Sequence, residues 1–279
     1  MTFSIVGRAL HPSGEPEWGV AVASKFLAVG NVVPAAVAGI GALATQADAN
    51  VSWKGAGLSL LDEGATAAVA LQRLVEEDDK REHRQVGIVD SDGGAATYTG
   101  PACFDWAGGT AEQHDTGSVA IQGNILVGPQ VVAEMKRAWH AAAGKLLARR
   151  LLAALAAGDT AGGDRRGRQS AALLVVREGA GYGGLDDVAV DLRVDDHADP
   201  VTELGRLLDL NDLYLTASTE EEKVPVTAAL RAELEEFARA HGHPDFRAWV
   251  GTENYEMRVA DDVSWVDRRV LAIARGADA

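Results

Sequence analysis

The sequence predicts a layered α+β fold with antiparallel sheets. Three observations carry this. Strands come as pairs about turns: residues 2–24 fold back at His11-Pro12-Ser13-Gly14, and 85–99 at Asp90-Ser91-Asp92-Gly93-Gly94. Helical spacing of apolar residues replaces alternation over 55–77 and again over 129–155. The element order is strands, helices, strands, helices, strands, helix, which is not the strict alternation of a doubly wound sheet.

Taken in order, Thr2, Ser4 and Val6 alternate with Phe3, Ile5 and Gly7, and Trp18–Ser24 returns as the second strand. Gly39–Gln46 is a third strand. Leu58, Leu61, Ala65, Ala68, Leu71 and Val75 mark a helix, interrupted near Gly64. Residues 76–84 form a charged connection. Val119–Gln122 is a short strand leading into Gly123-Asn124. Pro129 suits the first turn of a helix reaching Trp139, and Leu146–Leu155 is another. Ser170–Arg177 and Val188–Val194 are strands joined by a glycine-rich turn, and Val201–Leu208 is helical.

A polar run, Thr216 to Lys223, precedes Pro225. Residues 2–213 are therefore expected to form the main domain, 214–225 a linker, and 226–279 a small helical C-terminal appendage. Leu230, Leu234, Phe237 and His241 share one helical face there, and Trp249, Tyr255 and Trp265 supply a mini-core. A unit this small needs a neighbour to pack on.

Lys plus Arg number 26 against 41 Asp plus Glu, a net charge of −15. Such a chain binds phosphate backbones and anionic membrane surfaces poorly, so neither nucleic acid nor membrane is an expected partner. The single cysteine, Cys103, forms no internal disulfide and no cysteine metal cluster. With no apolar run long enough to span a bilayer and no signal segment, a cytoplasmic location is expected. Aromatics are only 5% of residues beside 31 Gly, so the core must be built of small side chains at close approach.

The nucleophile candidate is Thr2. Aminopeptidases remove an initiator Met before so small a residue, leaving a hydroxyl and a free α-amine on one residue. That amine titrates at about 7.7–8.0, near enough to neutral for a general base. An ordinary Met-Thr start is the bland alternative. Ser24 and Lys25 end the second strand, where a hydroxyl and an ammonium are placed to tune the nucleophile. Thr45 and Gln46 end the third, and Asn124 follows a short strand, where its amide can donate to an oxyanion. Each is equally readable as a polar strand end.

The segment Gly162 to Ser170 holds three arginines and Asp164. Arg166 and Arg168, with Gln169 and Ser170, are candidates for holding a carboxylate substrate, and Asp164 for orienting an arginine or the amine. An ion-paired surface loop is the alternative. Gly179-Ala180-Gly181-Tyr182-Gly183-Gly184 has dinucleotide-motif spacing but joins two strands and opens no helix. No metal site and no cofactor are expected. Asp90 and Asp92 read as turn residues, and Cys103 as structural rather than a thiol nucleophile.

These residues resemble a known family. Thr2-Phe3-Ser4-Ile5-Val6, Gly19–Ser24, Ala44-Thr45-Gln46, Gln122–Leu126 and Gly163–Ser170 are similar to segments of the domain-of-unknown-function 1028 family, over about 2–213. The tail from about 226 resembles a small peptidoglycan-binding-like domain. The family is placed among N-terminal nucleophile (Ntn) hydrolases. The resemblance therefore implies a four-layer αββα sandwich, two antiparallel sheets between helix layers. It also implies hydrolysis of a C–N amide bond with Thr2 as nucleophile. The sequence departs from proteasome-like members: residues 39–46 hold no lysine, and Ser24 replaces an acidic residue. Lys25 or an arginine of 165–168 is left to take the electrostatic role. The expected substrate is a small, carboxylate-bearing amide or peptide-like molecule, and the expected assembly a homo-dimer. The rival reading is a non-catalytic metabolite- or protein-binding module on the same fold.

Overall fold

The computed structural model describes residues 2–276. The chain divides into two compact units, Met1–Arg206 and Leu207–Ala279.

The first unit begins with the hairpin β1 (Thr2–Leu10) and β2 (Pro16–Ser24). There follow α1 (Val29–Val32), β3 (Pro34–Val37), β4 (Gly41–Ala47), α2 (Ser52–Asp62) and α3 (Ala67–Glu76). Next come β5 (Arg84–Asp90), β6 (Ala95–Thr99), β7 (Gly108–Glu112) and β8 (Ser118–Asn124). The series ends with α4 (Gln130–Ala141), α5 (Leu147–Thr160), β9 (Ser170–Val176) and β10 (Val188–Val194), and α6 (Pro200–Tyr214) continues past Arg206 into the residues of the second unit. Six strands form one sheet in the order β10-β9-β2-β1-β8-β7, and four form a second in the order β3-β4-β5-β6. Every pairing in both is antiparallel. The α+β class and antiparallel sheets are as the sequence predicts.

Alternation sorts the strands into faces. Val6, Trp18, Val20 and Val22 of the larger sheet pack against Ala42, Ala44 and Val89 of the smaller. On the far side of the smaller sheet, Leu43, Val86 and Ile88 pack on Trp53, Leu61, Ala70 and Leu74 of α2 and α3. The other face of β1 meets α4 and α5: a Cβ on Gly7 would sit 2.8 Å from the Trp139 ring and 3.1 Å from Leu151. Here glycine is required by close approach, and it lets the helix layer settle directly on the strand.

The helix expected over 55–77 is two helices parted at Gly64 (φ 89°), and Thr66 caps the second by accepting from the Val69 N–H. Asp90 binds its own hairpin through the N–H groups of Asp92 and Gly94, and also takes the Ala67 N–H at 2.7 Å. That is a turn and cap role. The sequence reading missed α1, β3 and β7. These are short or edge elements, VGNV, PAAV and GGTAE, too brief to set up a periodic stripe.

In the second unit, β11 (Lys223–Pro225) pairs with β12 (Trp265–Asp267), beside α7 (Ala228–Ala240), α8 (Phe246–Thr252) and α9 (Arg268–Ala274). Its core holds Leu213, Leu234, Phe246, Trp249, Tyr255, Val266 and Val270. The segment expected as a linker, 214–225, is built into this unit. Two of its polar residues face buried charges: Ser218 donates to Asp267 at 2.6 Å, and Glu222 accepts from Arg258 at 3.2 Å. Among the described residues, no helix is long and apolar enough to cross a membrane.

Candidate functional site

Thr2 opens β1, a central strand flanked by β8 and β2. Its side chain shares the inner face with Ser4 and Val6, turned toward the second sheet. Asn124 of β8 stands opposite Thr2, and Ser24 of β2 stands opposite Ser170 of β9. A buried row, Asn124-Thr2-Ser24-Ser170, therefore crosses four strands. On β2 and β9 the row ends an apolar stripe: Trp18, Val20, Val22, then Ser24; Val176, Leu174, Ala172, then Ser170. The Thr2 and Ser24 hydroxyl oxygens lie 3.1 Å apart.

The second sheet supplies a facing row. Gln46, Gln85 and Thr99 are register partners across β4, β5 and β6. Gln46 Nε2 reaches the Thr2 carbonyl at 3.3 Å and donates to Gln85 Oε1 at 2.8 Å. Asn124 Nδ2 donates to Gln85 Oε1 at 2.9 Å and reaches the Thr2 carbonyl at 3.5 Å. Gln122 donates to Ser4 at 2.7 Å, and Ser4 to Gln46 Oε1 at 2.6 Å. Amide and hydroxyl groups thus satisfy one another between the sheets. Buried polar groups are tolerated only when paired in this way.

Gly87 makes room for the network. A Cβ there would sit 2.1 Å from Gln122 Oε1, which Thr97 Oγ1 also holds at 3.2 Å. Gly87→Ala is expected to cost about 1–3 kcal/mol of stability. Urea unfolding checks this, and a change within 0.5 kcal/mol, the scale of an ordinary surface substitution, would refute it.

The remaining sequence candidates separate. Thr45 is a correction: it alternates with Gln46, so it lies on the opposite face of β4, where its hydroxyl donates to Asn50 O at 3.3 Å. Lys25 is a second correction. Its side chain is exposed, and its contribution is a main-chain N–H given to Asp164 Oδ2 at 2.8 Å. Asn124 commits both amide hydrogens to Gln85 and Thr2, so it holds Thr2 rather than offering a donor to an oxyanion. Ser170 donates to Phe26 O at 2.5 Å and accepts the Val29 N–H at 3.1 Å, which fixes the turn after β2. Gln169 bonds Asp196 at 3.0 Å.

Asp164 is buried and organises its loop. It accepts from the Lys25 and Arg166 N–H groups and pairs with the Arg166 guanidinium at 3.1 Å. Arg168 pairs with Asp159 at 2.8 Å. Both arginines expected to hold a substrate carboxylate therefore already face a carboxylate of the chain. A pocket of about 330 Å³ lies here, lined by Phe3, Ala23, Ser24, Thr160, Asp164 and Arg168 among others. Ser24, whose hydroxyl lies 3.1 Å from that of Thr2, is among its lining residues. Sequence reasoning missed Gln85, Gln122, Ser4, Thr97 and Thr99. The one available signal was that polar residues take the strand-end positions of inner-face stripes.

No group of three or more metal-ligating side chains occurs among the described residues. Burial pushes the Cys103 thiol up from its ordinary value, and its Sγ donates to Arg84 O at 3.3 Å. This is an inert setting rather than an activated one.

Fold and site together define an α+β protein of two packed antiparallel sheets, with a buried threonine opening a central strand. The family model of a family of unknown function, DUF1028, matches residues 2–204, and the chain belongs to that family. It is similar to the crystal structure of protein SPO2555 from Silicibacter pomeroyi, assigned to DUF1028 as well. That likeness is 30% identity and a TM-score of 0.65, over 76% of this chain and 89% of that one. A Gly-1 mutant of Anbu from Hyphomicrobium sp. strain MC1 is 11% identical with a TM-score of 0.30, over 75% of this chain and 95% of that one. A likeness of that size carries no argument. No curated protein matches this chain.

Proposed function

We propose that the chain is an Ntn-type amidohydrolase that cleaves a C–N bond in a small amide or peptide-like substrate. Thr2, freed by loss of Met1, is the nucleophile. Met1 itself lies outside the described residues. The observation that carries the reading is the placement of Thr2. Its hydroxyl is buried on the inner face of a central strand, 3.1 Å from the hydroxyl of Ser24, itself a pocket-lining residue, and its carbonyl is held by two amides. The layering supports it: α4 and α5, two sheets, then α2 and α3 make the α-β-β-α order that the family resemblance implies.

In this mechanism Thr2 Oγ1 attacks the substrate carbonyl carbon, and its proton passes to the Thr2 amine, directly or through Ser24. The amine serves as base in its uncharged form. Main-chain N–H groups take the oxyanion, since Asn124 is committed elsewhere. The ammonium then protonates the departing nitrogen as the C–N bond breaks, and water hydrolyses the Thr2 ester. Because Arg166 and Arg168 are already paired, the substrate is better read as a neutral amide than as a carboxylate.

The test has two stages. Intact mass of protein from cells shows whether Met1 is lost. A panel of amides is then offered to the processed chain, with product mass as the readout and Thr2→Ala as control. Met1 retained in cells, or equal turnover by the control, would refute the proposal and leave the non-catalytic binding module standing.

A further inference from the structure

We propose that Gln85 is a positioning residue for Thr2, acting through Gln46 and Asn124; this rests on Thr2 being the nucleophile. Gln85 is fully buried and is not among the residues lining the pocket. Its Oε1 accepts one hydrogen from Gln46 and one from Asn124, at 2.8 and 2.9 Å. The two hydrogens of a primary amide are rigidly disposed in one plane, so fixing one aims the other. The second hydrogen of Asn124 points at the Thr2 carbonyl, and that of Gln46 is shared between Thr2 O and Gln122 O. Both side-chain donors to the Thr2 carbonyl thus share one acceptor, Gln85 Oε1, with Gln46 held also at its own oxygen by Ser4.

The orientation of Gln85 is itself fixed. Its Nε2 donates to Thr99 Oγ1 at 2.8 Å and Gly123 O at 2.8 Å, with Gly108 O at 3.4 Å. Turning the amide over would set its N–H groups against those of Gln46 and Asn124, and its oxygen against two carbonyls. The network has one self-consistent arrangement. It spans β4, β5, β6, β7 and β8, so it ties the position of Thr2 to both sheets. A reacting hydroxyl and amine on one residue need such a frame, because a misplacement of about 1 Å can cost about 10²-fold in rate.

The test uses the processed chain and p-nitrophenyl acetate as acyl donor. Transfer of acetyl to Thr2 Oγ1 releases p-nitrophenolate, and hydroxylamine removes the ester but not an N-acetyl group. Gln85→Leu is expected to slow acylation by about 10²-fold at saturation with little change in KM. Thr99→Val, which removes the hydroxyl holding Gln85 Nε2, should slow it less and decides the matter if Gln85→Leu fails to fold. Gln85→Glu adds a readout that a purely structural role would not move. The groups facing position 85 are Gln46, Thr99, Gly108, Gly123 and Asn124, none of them charged. The protonated acid can donate to Gly123 O, whereas the carboxylate cannot. The rate of this variant relative to wild type should therefore rise as pH falls. Folded variants that acylate at the wild-type rate and with the wild-type pH profile would overturn the Gln85 role alone. A wild-type chain not acylated at Thr2 Oγ1 would overturn the nucleophile reading and this inference with it.

Discussion

Thr2→Ala in the processed chain is expected to lower amide turnover by a factor on the order of 10⁴–10⁶ and to leave the fold intact. The two halves of this expectation have different physical sources. The chemistry is lost because alanine has no hydroxyl, and no second hydroxyl can combine with the α-amine on one residue. Ser24 is within reach of Thr2, yet its amine is a main-chain amide inside β2. The fold persists because the Thr2 carbonyl, which Gln46 and Asn124 hold, is unchanged by the substitution. Loss of the Thr2–Ser24 contact costs about 1 kcal/mol, small beside the 5–15 kcal/mol of a typical domain. Thr2→Ser keeps hydroxyl and amine together and should retain turnover.

The pH profile follows from the same residue. The base is the amine, and it accepts a proton only when uncharged. Turnover should rise with pH through the amine pKa and level off above it. The reference value for such an amine is about 7.7–8.0. Acetylation of the amine should abolish turnover at every pH. Steady-state rates between about pH 5 and 9 check this; activity that survives acetylation would refute the role of the amine.

Much of this site was legible in the sequence, though in pieces. Alternation on β1 set Thr2 with Ser4 and Val6, and the apolar run of β2 marked Ser24 as its polar end. The long helices and both hairpins were readable because their periodic stripes are unbroken. What the sequence withheld was the partner across the gap between sheets. Gln85 begins an ordinary apolar strand after a charged connection, and nothing local marks it as the centre of a network. Its meaning depends on β5 lying over β8, a contact between residues about forty positions apart, such as Gln85 and Asn124. Thr45 and Gln46 show the limit at its sharpest. They are adjacent in sequence and equally polar, and the pleat sends one to the Thr2 carbonyl and the other to the opposite face. The arginine cluster left two readings open for a related reason. Charge count suggested an anion site, but neutralisation by Asp159 and Asp164 is set by how the loop closes on itself.

Asp267→Ala is expected to destabilise the second unit by about 3–5 kcal/mol. Asp267 and Arg258 are both buried, and Arg258 Nη1 meets Asp267 Oδ2 at 2.9 Å. Asp267 also takes the Ser218 hydroxyl at 2.6 Å and, as the cap of α9, the Arg269 N–H at 2.7 Å. Arg258 further donates to Leu213 O, Asp212 O and Glu222. Removing the carboxylate leaves a guanidinium in the core without its nearest counter-charge, a larger cost than the lost bond alone. Burial by itself would raise the Asp267 pKa. The Ser218 hydroxyl, the Arg269 N–H and the Arg258 guanidinium outweigh it and hold the carboxyl below its usual range. A carboxylate depressed in the folded state stabilises above its unfolded pKa of about 3.9, and that stability is lost as pH falls through the lower folded value. The second unit should therefore hold constant stability from neutral pH down to about 4 and weaken below it, and Asp267→Ala should flatten that acid limb. Hydrogen exchange on α7 and α9 in the full chain, measured against pH, reads both effects in this unit. Protection in the variant within 1 kcal/mol of wild type at pH 7, barely more than an ordinary surface change, would show that Glu222 and the carbonyls suffice to hold Arg258.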